Sequence, residues 1–138
     1  MIAVVMVSAD AVRAEAFADW CTPEAALQVL AALQESKDVS TDSRVPIFQD
    51  MQQIKTGLNR IRHPLPSDTI VADKTGASAT KDGLTAATND IALVTLPDGP
   101  HLALAIFVAD STASDQTRDE VIARLARTSW DSFTSSAR

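Results

Sequence analysis

Three groups of residues in this sequence have types and spacing that bear on chemistry. They are Lys74-Thr75-Gly76 after the strand-like run at residues 69–73, Ser78-Ala79-Thr80-Lys81 just beyond it, and the scattered His63, His101 and Cys21. A Ser-x-x-Lys pattern suits acylation chemistry when its serine opens a helix, so that the lysine one turn later shares its face. Ser78 follows a strand instead, and such a match arises by chance in roughly one chain in three of this serine and lysine content. The pair is therefore not read as a nucleophile with its base. A Lys-Ser/Thr-Gly triplet alone is a chance event in about one chain in twenty, so its meaning rests on its flanks. The histidines lack a carboxylate or cysteine pattern with ligand spacing, which argues against a metal. Cys21, beside Trp20 and a helix start, is read as a packed thiol.

The elements that must position the triplet follow from caps, breakers and periodicity. Thr22-Pro23-Glu24 opens a helix over residues 23–36, with a capping hydroxyl and proline at the first helical position. Its Ala25, Ala26, Leu27, Val29, Leu30, Ala31, Ala32 and Leu33 leave almost no polar face, which predicts burial on most sides. A second helix runs from residue 41 or 42 to 54, with Ile47, Met51 and Ile54 at helical spacing, and Gly57 ends it. Pro64-Leu65-Pro66 predicts extended chain leading to a short buried strand at 69–72. Gly83 marks a turn before a strand at about 90–96. Pro97-Asp98-Gly99-Pro100 then reverses the chain into a strand at 101–108, forming an antiparallel hairpin. A last helix over 115–132 carries Val121, Ile122, Leu125, Ala126 and Trp130 as its apolar stripe.

With 138 residues, 46% hydrophobic and 22% charged, the chain has the make-up of one globular domain. Its net charge of -6 argues against nucleic acid and anionic membrane surfaces as partners. A lone cysteine permits no internal disulfide. The apolar opening Met1-Ile2-Ala3-Val4-Val5-Met6-Val7 has no preceding Lys or Arg and is too short to span a bilayer. It reads as a buried segment, or as the remnant of a displaced start, rather than a signal peptide. No other stretch approaches a transmembrane length.

Flanking sequence gives the triplet its meaning. Val71-Ala72-Asp73-Lys74-Thr75-Gly76-Ala77-Ser78, Gly83-Leu84-Thr85-Ala86-Ala87-Thr88-Asn89-Asp90-Ile91 and Leu96-Pro97-Asp98-Gly99 closely resemble the carboxy-terminal half of class A serine β-lactamases, nearest their PER/VEB-like subgroup. Asp19-Trp20-Cys21-Thr22, Thr56-Gly57-Leu58-Asn59-Arg60 and the final helix extend the resemblance to residues 8–133, leaving 1–7 poorly matched. The resemblance implies an α+β fold of three antiparallel strands packed with helices, residues 1–138 forming one partial domain. It also implies that two further strands of the sheet come from the amino-terminal half.

The family reaction is acylation of a serine by the lactam carbonyl, then hydrolysis by a water that a glutamate activates. Its Ser-x-x-Lys, Ser-Asp-Asn and Glu-x-x-Leu-Asn elements are not found here in their family setting, and are expected to precede Met1. By resemblance, Lys74 places a cation near the substrate carboxylate and the catalytic hydroxyls, Thr75 offers that carboxylate a hydroxyl, and Gly76 keeps the strand edge open. The backbone N–H of Ala77 would be one of two oxyanion-hole donors, and Ser78 lies within substrate reach. Many class A enzymes carry an arginine at the place of Thr88. Arg60 is the expected substitute, Arg62 the less favoured one, and Asp90 a structural acceptor.

These residues imply a β-lactam-binding half-site with no cofactor and no metal, inactive by itself. Its partner would be its missing half, or a second copy reached by dimerisation, aggregation or strand exchange. The full-length family is periplasmic or secreted, whereas this chain, without a signal peptide, would stay cytoplasmic if expressed as it stands. Two alternatives stand beside this reading: a non-catalytic truncated remnant, and a fragment of a penicillin-binding transpeptidase or carboxypeptidase.

Overall fold

The computed structural model describes residues 5–7, 21–35 and 39–135. In chain order the described elements are β1 (Val5–Val7), α1 (Pro23–Glu35), α2 (Thr41–Gln52), β2 (Val71–Ala77), β3 (Thr80–Lys81), β4 (Leu84–Thr95), β5 (His101–Ser111) and α3 (Asp115–Ser135). The sheet runs β1-β5-β4-β2, with β3 paired to β4. Every pairing is antiparallel except that of β1, which runs parallel to β5 with Val5 opposite Ile106. The α+β class and the succession of two helices, three main strands and a final helix agree with the sequence reading; β1, ahead of the helices, and the two-residue β3 join the three expected strands. Asp19 and Trp20, part of the upstream resemblance, lie outside the described residues.

Alternation along the strands divides the core into two layers. Val71, Ala92, Val94, Leu102, Leu104, Ile106 and Val108 face α3, where they pack with Ile122, Ala126 and Trp130. Leu93, Ala103 and Ala105 face the other way, against Ala26, Leu27 and Leu30 of α1. Small alanines on that side let α1 approach the sheet closely. Its start is as read: the Ala25 amide donates to Thr22 Oγ1 at 3.2 Å, with Pro23 at the first helical position.

The structure corrects several expectations. Helix α1 buries one face rather than most of its circumference, and Val29 is 64% exposed. Helix α2 ends at Gln52, well before Gly57, and none of its residues is buried. The Pro64-Leu65-Pro66 stretch turns instead of extending, with the Leu65 amide donating to Arg62 O. Cys21 is exposed, because it stands ahead of the Thr22 cap and outside the packed helix face. Strand β4 begins at Leu84, six positions before the expected start, because Asp82 (φ 52) and Gly83 (φ 78) both adopt left-handed backbone. Two successive positive-φ residues make the tight hairpin turn that matches strand twist, and Lys81 pairs with Leu84 across it.

Candidate active site

Among the described residues strand β2 ends the sheet, so one of its edges has no neighbouring strand there. The amide of Ser78 donates to Ala87 O at 2.9 Å and that of Thr95 to Ile70 O at 3.0 Å, both in register with the β2–β4 pairing. In an antiparallel ladder, bonded and non-bonded pairs alternate. The even-numbered residues of β2 therefore spend their amides and carbonyls on β4, whereas Val71, Asp73, Thr75 and Ala77 turn theirs outward. Side chains already occupy part of that edge. Lys74 Nζ donates to Thr75 O at 2.7 Å, and Arg62 Nη2 to Val71 O at 3.0 Å. The Ala77 amide points outward at the strand's end.

The triplet divides between the two faces. Lys74 stands opposite Ile91, on the side of α1 and α2, while Thr75 stands opposite Asp90, on the side of α3. Lys74, Gly76 and Ala77 are exposed, and Thr75 and Ser78 are half-buried. Thr75 Oγ1 lies 2.6 Å from Thr56 Oγ1, which hangs the strand on the loop at 53–70. Gly57 makes that approach feasible. Its φ is +57, and a Cβ there would come within 2.5 Å of Thr75 Cγ2. Ser78 Oγ accepts from the Ala87 amide at 3.0 Å, which extends the ladder past the strand end. Lys81 sits on the short β3 hairpin, so Ser78 and Lys81 share no helix face.

Arg60 reaches the triplet from the α3 side. Its Nη1 donates to Gly76 O at 3.2 Å and Asn89 O at 2.9 Å, two carbonyls at one paired position of β2 and β4. Its Nε donates to Asp119 Oδ1 at 2.7 Å, and both side chains are largely covered. Arg62 instead ties the last carbonyls of α2, Met51 O and Gln52 O, to the strand edge and pairs with Asp73. A cation against helix-terminal carbonyls is favourable for both.

Beneath the wall lie two buried carboxyls. Asp90 Oδ2 accepts from the Ile61 amide at 3.1 Å, whereas Asp90 Oδ1 and Arg62 Nε have no partner. Burial pushes the Asp90 carboxyl up to about 7, helped by the neighbouring Asp73 and opposed by the Ile61 amide, Arg60 and Arg62. Burial also raises Asp73, against the pull of Arg62. Asp90 thus accepts from the loop at 53–70 through one oxygen, beside its cross-strand neighbour Thr75.

Sequence reasoning missed Arg118. This buried residue donates from Nε to Thr88 Oγ1 at 2.8 Å and bonds Ala113 O and Asp115. Thr88 pairs with Ala77, so α3 braces the strand pair at the far end of the triplet. A signal was present: Arg118 falls four residues before Ile122, on the apolar stripe itself. Asp119, partner of Arg60, left no trace, because nothing local marks a contact between residues so distant in sequence. Among the described residues, no three His, Cys, Asp or Glu side chains form a metal-holding group. No described helix is long and apolar enough to cross a membrane.

A mainly antiparallel sheet with helices on both faces is the α+β fold of class A serine β-lactamase structures. Residues 2–133 match the β-lactamase enzyme family, and the chain belongs to it. It is 37% identical over 114 residues to the extended-spectrum β-lactamase PER-1 of Pseudomonas aeruginosa, covering 83% of this chain and 37% of that protein. To β-lactamase VEB-1 of the same organism it is 34% identical, covering 85% and 40%. The crystal structure of a β-lactamase from Chitinophaga pinensis is similar at a TM-score of 0.81 and 47% identity, over 83% of this chain and 43% of that one. The chain thus spans about two fifths of the length of these relatives.

Proposed function

We propose that these residues form the Lys-Thr-Gly side of a class A serine β-lactamase active site, within one incomplete domain. The reaction is hydrolysis of the β-lactam amide through a serine acyl-enzyme. Lys74 supplies the positive charge that draws the substrate carboxylate, Thr75 a hydroxyl for the same group, and Arg60 a second cation behind them. Gly76 leaves the strand approachable, and Ser78 borders the substrate. The Ala77 amide donates to the carbonyl oxygen as it gains charge, an interaction whose loss typically lowers rates by about 100- to 1000-fold.

The observation that carries this reading is the outward turn of the Ala77 amide on an unpaired strand edge, close to the exposed Lys74. The acylated serine, the Ser-Asp-Asn element and the activating glutamate would come from an amino-terminal half. Without that half the chain is inactive and self-associates through its exposed apolar side chains. A periplasmic or secreted location accords with this reading.

Hydrolysis of a chromogenic cephalosporin tests it, with the chain alone and after co-refolding with the amino-terminal half of a related class A enzyme. Silence alone, turnover on reassembly, and a loss of about 100-fold or more in reassembled Lys74→Ala are expected. Turnover by the chain alone would redirect attention to Ser78 and Lys81. Reassembly, verified by co-elution, without turnover would favour a non-catalytic remnant.

A further inference from the structure

Among the described residues the sheet has two edges at which another strand could pair. On β2 the outward carbonyls of Val71 and Thr75 are already taken by Arg62 and Lys74, and the Ala77 amide beyond them belongs to the wall. On β5, which runs from His101 to Ser111, β1 meets only residues 106–108. Most of that strand therefore has no described strand beside it on this edge. The pairing also differs in kind. Val5, Met6 and Val7 run parallel to β5, whereas β2, β3, β4 and β5 pair antiparallel throughout. Parallel pairing is slightly weaker per residue, and three residues is the short extreme for a strand. A sheet edge with unpaired N–H and C=O groups is a template for another chain.

We infer that β1 is a strand that inhibits assembly: it holds the β5 edge against the antiparallel pattern of the sheet, and a longer antiparallel strand of the completing amino-terminal half must displace it. The inference deepens the reading of this chain as one side of an incomplete domain, and rests on it. Length and direction argue for that occupant. The chain spans about two fifths of its relatives, so a completing half has ample chain to supply a strand. An antiparallel strand would continue the ladder of β4 and β5 along the whole of residues 101–111, in place of three parallel pairs. Displacement is then favourable once the half is present. Until that point β1 shields the middle of the edge from a second copy of the chain.

The experiment uses the full chain and two variants, with co-elution against the amino-terminal half of a related class A enzyme as the readout. Val5→Pro/Met6→Pro removes two successive amides, one of which must face β5, and so opens the edge. It should bind the half more tightly, on the order of ten-fold. Met6→Cys/Phe107→Cys, made with Cys21→Ser so that only the designed pair can form, should close a disulfide across β1 and β5. The oxidised chain should fail to co-elute, and reduction should restore binding. Equal affinity of wild type and the proline variant would overturn the inference. So would co-elution of the oxidised chain, or failure of the cross-link to form. A proline variant that dimerises without binding the half would also overturn it, by giving the edge to a second copy. If the proline variant does not fold, the cross-linked chain decides alone. The reading of the wall fails separately, as co-elution without turnover.

Discussion

The two faces of the sheet are unequally finished. Towards α3, long aliphatic side chains from β2, β4 and β5 close on Ile122, Ala126 and Trp130, and most are almost fully buried. Towards α1 the sheet presents a smaller cluster, Ala103, Ala105 and Leu93 with the half-buried Ile91 and Phe107. Helix α2 buries none of its residues, and Val29, Val45 and Ile47 are exposed. Single exposed apolar residues are ordinary on any surface. Here three of them lie on the two helices of the face that carries Lys74, while Leu58, Ile70 and Leu84 lie in the loop at 53–70 and at the start of β4. The larger buried cluster lies on the α3 side, and part of the exposed apolar surface lies on the other.

Substitutions can break or sharpen that contrast. Ile122→Ala, at a fully buried position, should cost about 2–5 kcal/mol, read as a lower denaturation midpoint. An effect below 1 kcal/mol would mean that α3 is not the anchor. Next in size is Asp90, on the same face. Its folded-state value of about 7 lies above its ordinary 3.8, so its contribution is fully present below about pH 4 and lost as pH rises towards and through 7. Asp73, raised in the same direction, adds to that slope. Asp90→Asn should flatten this pH dependence in thermal melts and raise stability at pH 8 by up to a few kcal/mol. A parallel pH profile for wild type and variant would count against it.

Gly83→Ala tests the hairpin between the faces. Its φ of 78 disfavours a side chain, although the space around it is open, and a loss of about 1 kcal/mol by urea denaturation is expected. The smallest effect on stability should come from Val29→Ser, within about 0.5 kcal/mol. The same change should shift sedimentation towards monomer, and an unchanged distribution would remove this face from the account of self-association.

What the sequence disclosed follows the same divide. Thr22-Pro23 and Pro97-Asp98-Gly99-Pro100 announce their structures because hydroxyl caps and ring-constrained turns act within a few residues. The apolar stripe of α3 was legible because one helix face meets one sheet face. The one-sided burial of α1 was not, since its composition reads the same whether or not anything covers Val29. Thr85 to Thr88 hid the first half of β4, because its Thr-Ala-Ala-Thr run carries too little contrast in hydrophobicity. In the site, Lys74-Thr75-Gly76 was visible as a local pattern. The ties of Arg60 to Asp119 and of Arg118 to Thr88 depend on α3 folding back across the sheet, which no local pattern encodes.

Gly57 gives the loop at 53–70 a role in steering. Where a methyl group would press on Thr75 Cγ2, any larger residue must push either the loop or the strand. The push would reach Thr75 as displacement alone, its hydroxyl intact but moved relative to Lys74. The aim of the wall is therefore set in part by a residue with no functional group. On the proposed reading of Lys74 and Thr75, ligand preference can change through Gly57 while both of those groups stay the same.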